Sequence, residues 1–239
     1  MTAPLPPALL VDLDDTLIDD SSMVEACWEE ACRLVKGSGL PLGPWDLPKA
    51  IRFSAETFWS DPERHRTGRL DLPAARRLVV ADALESLGFP RPDLARAIAD
   101  RYTGLRRESA VLLPGAREAL AGLRERGVRM VLVTNGASDL QRSKIDRFGL
   151  APFFEEILVE GEIGFGKPDE RIYRRALEAL GAAAGESWIA GDNLEWEVAV
   201  PRRLGFTTVW VDHRGRGLPE DPPAVPHRIV RGIGELLTG

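Results

Sequence analysis

Short apolar runs without polar alternation recur along the chain. "ALLVD" (8–12), "VRMVLVTN" (128–135), "EEILVEG" (155–161), "SWIAGD" (187–192) and "TTVWVD" (207–212) are rich in Val, Ile and Leu, which predicts strands buried on both faces. Between the later runs the apolar spacing becomes that of amphipathic helices. "GAREALAGLRERG", "SDLQRSKIDRFG" and "DERIYRRALEALG" end on Gly127, Gly149 and Gly181, each where a helix C-cap belongs. Strand alternating with helix predicts right-handed crossovers and an α/β architecture, a parallel sheet covered on both faces.

The stretch 19–107 breaks that alternation. "MVEACWEEACRLV", "LPKAIRFSAETFW", "LPAARRLVVADALESLG" and "PDLARAIADRYTGL" all carry helical spacing, and no strand-like run lies among them. The expected organisation is an α/β core from 1–18 and 108–239, interrupted after its first strand by an all-helical cap over 19–107. Ligands of open α/β sheets bind at the carboxyl ends of the strands, the edge from which this insertion leaves.

Polar residues gather at those predicted strand ends. Asp12 and Asp14 follow the first run, and Thr134, Asn135 and Gly136 close the second. Lys167 precedes a helix in "GFGKPDE", and Asp192 follows the fourth run in "GDN". In a parallel sheet all these ends point one way, so one pocket can collect them. Two carboxylates about 4 Å apart repel by roughly 4 kcal/mol at an effective dielectric near 20, and one lysine cannot neutralise three of them. A divalent cation can, and oxygen ligands suit Mg2+. Such an ion, held by carboxylates with open positions, is typical of phosphate chemistry.

"DLDDTL", "VLVTNG", "GKPDERIY" and "GDN", in that order and each after a predicted strand, resemble the motifs of the haloacid dehalogenase superfamily, in the phosphatase branch with a helical cap inserted after the first motif. The resemblance implies a Rossmann-like core and an Mg2+-dependent phosphoric monoester hydrolase acting through an aspartyl-phosphate. It implies that Asp12 is the nucleophile, and that Asp14 is general acid and then base, touching the metal through its backbone carbonyl. Thr134 and the amides around Asn135 and Gly136 would hold phosphoryl oxygens. Lys167 would neutralise nucleophile and phosphate, and Asp192 would complete the metal set of Asp12, Asp14 and Asp192. Thr16 would tie down the strand end. The chain departs from the family where a second aspartate usually follows the "GD" motif. It has Glu197, which either reaches the metal shell or is a helix-start glutamate near a positive dipole end.

Composition narrows the partners. A net charge of −6 over 239 residues argues against a general nucleic-acid binder, and no apolar run is long enough for a membrane helix. The start "MTAPLPPALLV" has no basic region or cleavage site, so a cytoplasmic location is expected. The resemblance implies a small phosphorylated substrate, a sugar phosphate, acidic sugar phosphate or nucleotide, and a monomer or homodimer is expected of a capped fold. Cys27 and Cys32 have no metal-set companions and are read as packing residues. Arg64, His65, Arg66 and Arg69 fall between predicted helices and are candidates to read an anionic leaving group. Arg76 and Arg77 are read as a wet helix face, and Asp15, Asp19 and Asp20 as solvated or capping. The tryptophans are read as core or cap packing.

Carbon–halogen hydrolysis on the same scaffold needs no acid two residues after the nucleophile, so Asp14 argues against it. A phosphonatase would need a cap lysine, and only Lys36 and Lys49 are there. A phosphomutase would use the same acid and stays open. A non-enzymatic phosphoacceptor module is about half this length and places its acceptor elsewhere.

Overall fold

The computed structural model describes residues 4–43 and 46–238, so the first residues of the N-terminal stretch and Trp45 lie outside it. The chain divides into two compact units. One comprises the chain up to Asp19 together with everything from Val111 onward; the other is Asp20–Ala110.

The first unit is built on β1 (Ala8–Val11). A short antiparallel ribbon joins β2 (Ile18–Asp19) to β3 (Val111–Leu112), with Ile18 opposite Leu112. The remaining strands are β4 (Arg129–Thr134), β5 (Glu156–Val159), β6 (Ser187–Gly191), β7 (Thr207–Val211) and β8 (Arg228–Val230). Together with β1 they form a six-stranded sheet in the order β5-β4-β1-β6-β7-β8. Its pairings are parallel, with Leu10 in register between Val131 and Ile189. All of β1 is buried, as its unbroken apolar run predicts. The chain builds outward from β1 on one side to β4 and β5, then returns to its other side through β6. That reversal opens a crevice at the carboxyl end of β1.

The second unit holds α1 (Val24–Cys32), α2 (Asp46–Ser60), α3 (Pro62–Gly68), α4 (Leu72–Ser86) and α5 (Pro92–Ser109). Their apolar faces close a core of its own, in which Ile51, Phe58, Val80, Leu84, Ile98 and Tyr102 are buried together with Cys27 and Cys32. The cysteines are unbridged.

One expectation fails here. Arg64, His65 and Arg66 do not lie between helices; they form α3. Asp61 caps that helix by accepting from the Arg64 amide at 2.8 Å, and Pro62 opens its first turn. Asp followed by Pro is a helix-start signal, outweighed in the sequence by the density of charge around it. Arg66 pairs with Glu63, and the Arg64 guanidinium lies 5.7 Å from the Phe58 ring centroid.

The first unit's helices are α6 (Ala116–Glu125), α7 (Ser138–Arg147), α8 (Glu160–Ile163), α9 (Glu170–Leu180) and α10 (Val200–Arg203). Ile172, Tyr173, Ala176 and Leu180 of α9 pack on Leu10, Val131, Leu158 and Ile189 of the sheet. The run 155–161 is not all strand. The chain turns into α8 at Glu160, whose buried carboxylate accepts the Gly136 amide at 3.0 Å. Among the described residues no helix is long and apolar enough to cross a membrane.

Candidate active site

Asp12 is the first residue beyond β1, and its own amide donates to Ala190 O on β6 at 3.0 Å. Its carboxylate is fixed at both oxygens. Thr16 Oγ1 donates to Oδ2 at 3.1 Å, and Lys167 Nζ reaches Oδ1 at 2.5 Å. Thr16 thus acts on the carboxylate itself.

Lys167 is 1% exposed, an unusual depth for a lysine. The loop carrying it is clamped by Asn135. The Asn135 amide donates to Lys167 O at 2.7 Å, while the Lys167 amide donates to Asn135 Oδ1 at 2.8 Å. Gly166 makes that clamp possible, because a Cβ there would meet Asn135 Oδ1 and the Glu160 side chain. Lys167 Nζ also lies 2.7 Å from Glu197 Oε1. Burial alone would lower the Lys167 pKa, but the Asp12 and Glu197 carboxylates override it and hold the ammonium above its usual range.

Glu197 is the residue the sequence left undecided. It sits in a π turn, Leu194–Ala199, capped by Asn193 Oδ1 accepting from Glu195 N at 3.0 Å and Trp196 N at 3.1 Å. The wide turn directs Glu197 inward. There it is 1% exposed, and Oε2 accepts from Asn193 N at 3.0 Å. Gly191 at the end of β6 leaves the space, since any Cβ would overlap Glu197 Cγ. The Lys167 contact is ionic rather than a directed hydrogen bond, so Glu197 Oε1 is a buried acceptor without an aligned donor.

Asp192 follows β6, and its backbone is held by Trp210 Nε1 donating to Asp192 O at 2.6 Å. Burial first, then the charges of Asp12, Glu197 and Asp15, push its carboxyl up to about 9. Burial also pushes Glu197 up to about 7, against the pull of Lys167. The cluster is therefore short of positive charge. That deficit and the undirected Oε1 fit a set of oxygen donors for a hard divalent cation. Asp15, Asp19 and His213 also bring one potential ligand atom each to within 4.8 Å of one another.

Asp14 occupies the same strand end with different partners. Its Oδ1 is 2.7 Å from Lys144 Nζ, and its Oδ2 accepts from Gln141 Nε2 at 2.8 Å. The same Gln141 nitrogen donates to Thr134 Oγ1 at 2.5 Å. Gln141 and Lys144 lie three residues apart on α7, on one face of the helix that starts just after β4. Sequence reasoning missed both, although that i, i+3 spacing beside the "VTNG" motif was there to be read. The Gly136 amide, expected to face a phosphoryl group, is occupied by Glu160.

Known proteins resemble this chain over most of its length. The model of the haloacid dehalogenase-like hydrolase family matches residues 6–205. The phosphoserine phosphatase of Thermus thermophilus is 39% identical, over 96% of this chain and 97% of its own. A glyceraldehyde 3-phosphate phosphatase of Methanopyrus kandleri is 30% identical over 90% of this chain and 87% of its own. In three dimensions, the magnesium-bound HAD-hydrolase YfnB of Bacillus subtilis superposes with a TM-score of 0.71 at 24% identity. That superposition covers 97% of this chain and 96% of YfnB, and at this identity it speaks for the fold.

Proposed function

Since the chain belongs to the haloacid dehalogenase-like hydrolase family, we propose that it is an Mg2+-dependent phosphatase of a small phosphorylated metabolite. The observation that carries this reading is the second carboxylate, Asp14, held two residues beyond Asp12 by Lys144 and Gln141. A phosphate ester leaves as an alkoxide, which needs a proton; a halide does not. Relatives named as phosphatases over nearly the whole chain support the same reading.

The contacts support the following roles. Asp12, its carboxylate plane fixed by Thr16 and Lys167, attacks phosphorus in line, forming a carboxylate–phosphorus bond as the ester P–O bond breaks. Asp14 in its acid form gives its proton to the departing oxygen. As carboxylate it then takes a proton from the water that attacks the phospho-aspartate, releasing phosphate and restoring Asp12. Thr134 Oγ1 accepts from Gln141, which leaves its own hydroxyl proton for a phosphoryl oxygen. Lys167 directs one N–H at Asp12 and pairs ionically with Glu197, which leaves an N–H for the phosphoryl group. Asp12, the Asp14 carbonyl and Asp192 would hold Mg2+, with Glu197 behind them. When bound, the ion supplies charge neutralisation at the carboxylates and the transferring phosphoryl group.

The test is turnover of p-nitrophenyl phosphate and of a panel of phosphorylated metabolites with Mg2+. Asp12→Asn should abolish it. Undiminished turnover by that variant, or halide release from 2-chloropropionate without metal, would overturn the reading.

A further inference from the structure

The helical unit contains a cavity of about 320 Å³, near the lower bound of roughly 300–1,000 Å³ for small-molecule sites. Its walls are mostly apolar, with Trp28, Trp59 and Tyr102 supplying aromatic surface, yet two guanidiniums and one carboxylate line it: Arg76, Arg106 and Asp20. Arg76, read from the sequence as part of a wet helix face, and Asp20, read as solvated or capping, both line this cavity; Arg77 stays partly exposed and pairs with Asp100 at 2.7 Å.

The polar groups do not balance. Arg106 is 8% exposed and uses Nη2 on Asp20 Oδ2 at 2.6 Å and Nη1 on the Tyr102 hydroxyl at 2.8 Å. Its Nε–H is buried without a partner. Arg76 donates to Thr103 Oγ1 at 3.1 Å, and its guanidinium lies 5.0 Å from the Tyr102 ring centroid. Among the described residues Arg76 makes no ion pair. Burial, and Arg106's like charge against the pull of Tyr102 and Asp20, hold its pKa below the usual arginine range. One excess positive charge therefore faces an apolar cavity, with a buried donor unspent. A half-buried guanidinium beside a buried, unspent donor is stabilised by an anion.

We propose that this cavity binds a small organic monocarboxylate, an α-hydroxy or α-amino acid, whose carboxylate pairs with the Arg76 fork. A planar guanidinium matches a carboxylate in two parallel hydrogen bonds. Asp20 contributes the selection. It repels a second negative charge, which disfavours inorganic phosphate and dicarboxylates, and it offers an acceptor to an α-hydroxyl or α-ammonium group. Trp28 stacks on Tyr102 with centroids 3.4 Å apart and planes within 5°, giving the organic part a flat wall. This inference stands apart from the phosphatase reading, because binding here requires no chemistry at Asp12.

The test titrates the full chain with D-glycerate and with L-serine, following fluorescence of the lining tryptophans and heat by calorimetry. Lactamide is the uncharged control, and inorganic phosphate the anion control. Saturable binding of glycerate or serine is expected, with lactamide silent and any phosphate binding insensitive to Arg76→Met. Arg76→Met should weaken binding by about tenfold or more, as loss of a charge-assisted contact does. Arg77→Met and Asp12→Asn should leave it unchanged, the latter even where it abolishes turnover. Arg76→Lys, which keeps the charge and loses the fork, should fall between; it carries the test if the methionine variant does not fold. Equal affinity in wild type and the Arg76 variant, a phosphate affinity that Arg76→Met lowers as it lowers the carboxylates', or no binding of either carboxylate would overturn the proposal.

Discussion

Lys144 Nζ stands 2.7 Å from Asp14 Oδ1, so α7 sets the position of the carboxylate assigned to proton transfer. Asp14→Asn should lower kcat on alkyl phosphates by roughly 10²–10⁴-fold, the usual worth of a general acid–base group. Lys144→Met should keep the acid but loosen it, reducing kcat by up to about 10²-fold. Both variants should be less impaired with acetyl phosphate, whose leaving group needs little protonation. Equal losses on alkyl and acyl phosphates would remove Asp14 from the proton-transfer step.

Lys167 is the ammonium between two buried carboxylates, at 2.5 Å from Asp12 and 2.7 Å from Glu197. Its removal leaves both uncompensated, and Lys167→Met should cost about 3–5 kcal/mol of unfolding free energy in urea melts. The double variant Lys167→Met/Glu197→Gln should regain part of that loss, because one of the two charges is gone. A double variant as unstable as the sum of the two singles would mean that Lys167 and Glu197 do not interact.

Stability of the metal-free chain should fall as pH rises. Burial and neighbouring carboxylates raise Asp192 to about 9 and Glu197 to about 7, from ordinary values of 3.8 and 4.5. The folded state then binds protons that the unfolded chain has released, so the slope of stability with pH is negative across that window. The contribution is complete below the ordinary carboxylate range and is lost as pH passes about 7 and then about 9. Mg2+ replaces those protons, so it should raise Tm more at about pH 8 than at about pH 5. Thermal melts with EDTA and with millimolar Mg2+ decide this; an equal rise at both pH values would refute a carboxylate site for the ion.

Gly191 is needed for contact rather than for conformational freedom. A methyl group there would overlap Glu197 Cγ, so Gly191→Ala should displace Glu197 and destabilise the fold by about 1–3 kcal/mol, the usual cost of overpacking. Gly185→Ala, where nothing lies within 4 Å, is the control. Matching melts for the two would show that Glu197 gives way freely.

Legibility differed by the length of the signal. β1, β4, β6 and β7 were readable because buried parallel strands are written as short apolar runs without polar alternation. The two-residue strands β2 and β3 and the three-residue β8 are too short to carry a period, and their pairing depends on chain brought near from elsewhere. Position at a strand end was an incomplete guide to the site. Asp212 also follows a strand, but its carboxylate accepts the Arg216 and Gly217 amides at 2.9 Å and shapes its own loop.

The order of the longer strands and helices, the interruption after β1, and the chemical types at the strand ends are local properties, and the order of residues alone determined them. The partners of each group were decided only by folding. Glu197 could reach Lys167 only because a π turn redirects it and Gly191 makes room. Lys144 met Asp14 across 130 positions of chain, and Arg76 left the wet face because α4 packs on α5. Charge pairing and burial are set by distance through space, which residue order leaves open until the backbone closes.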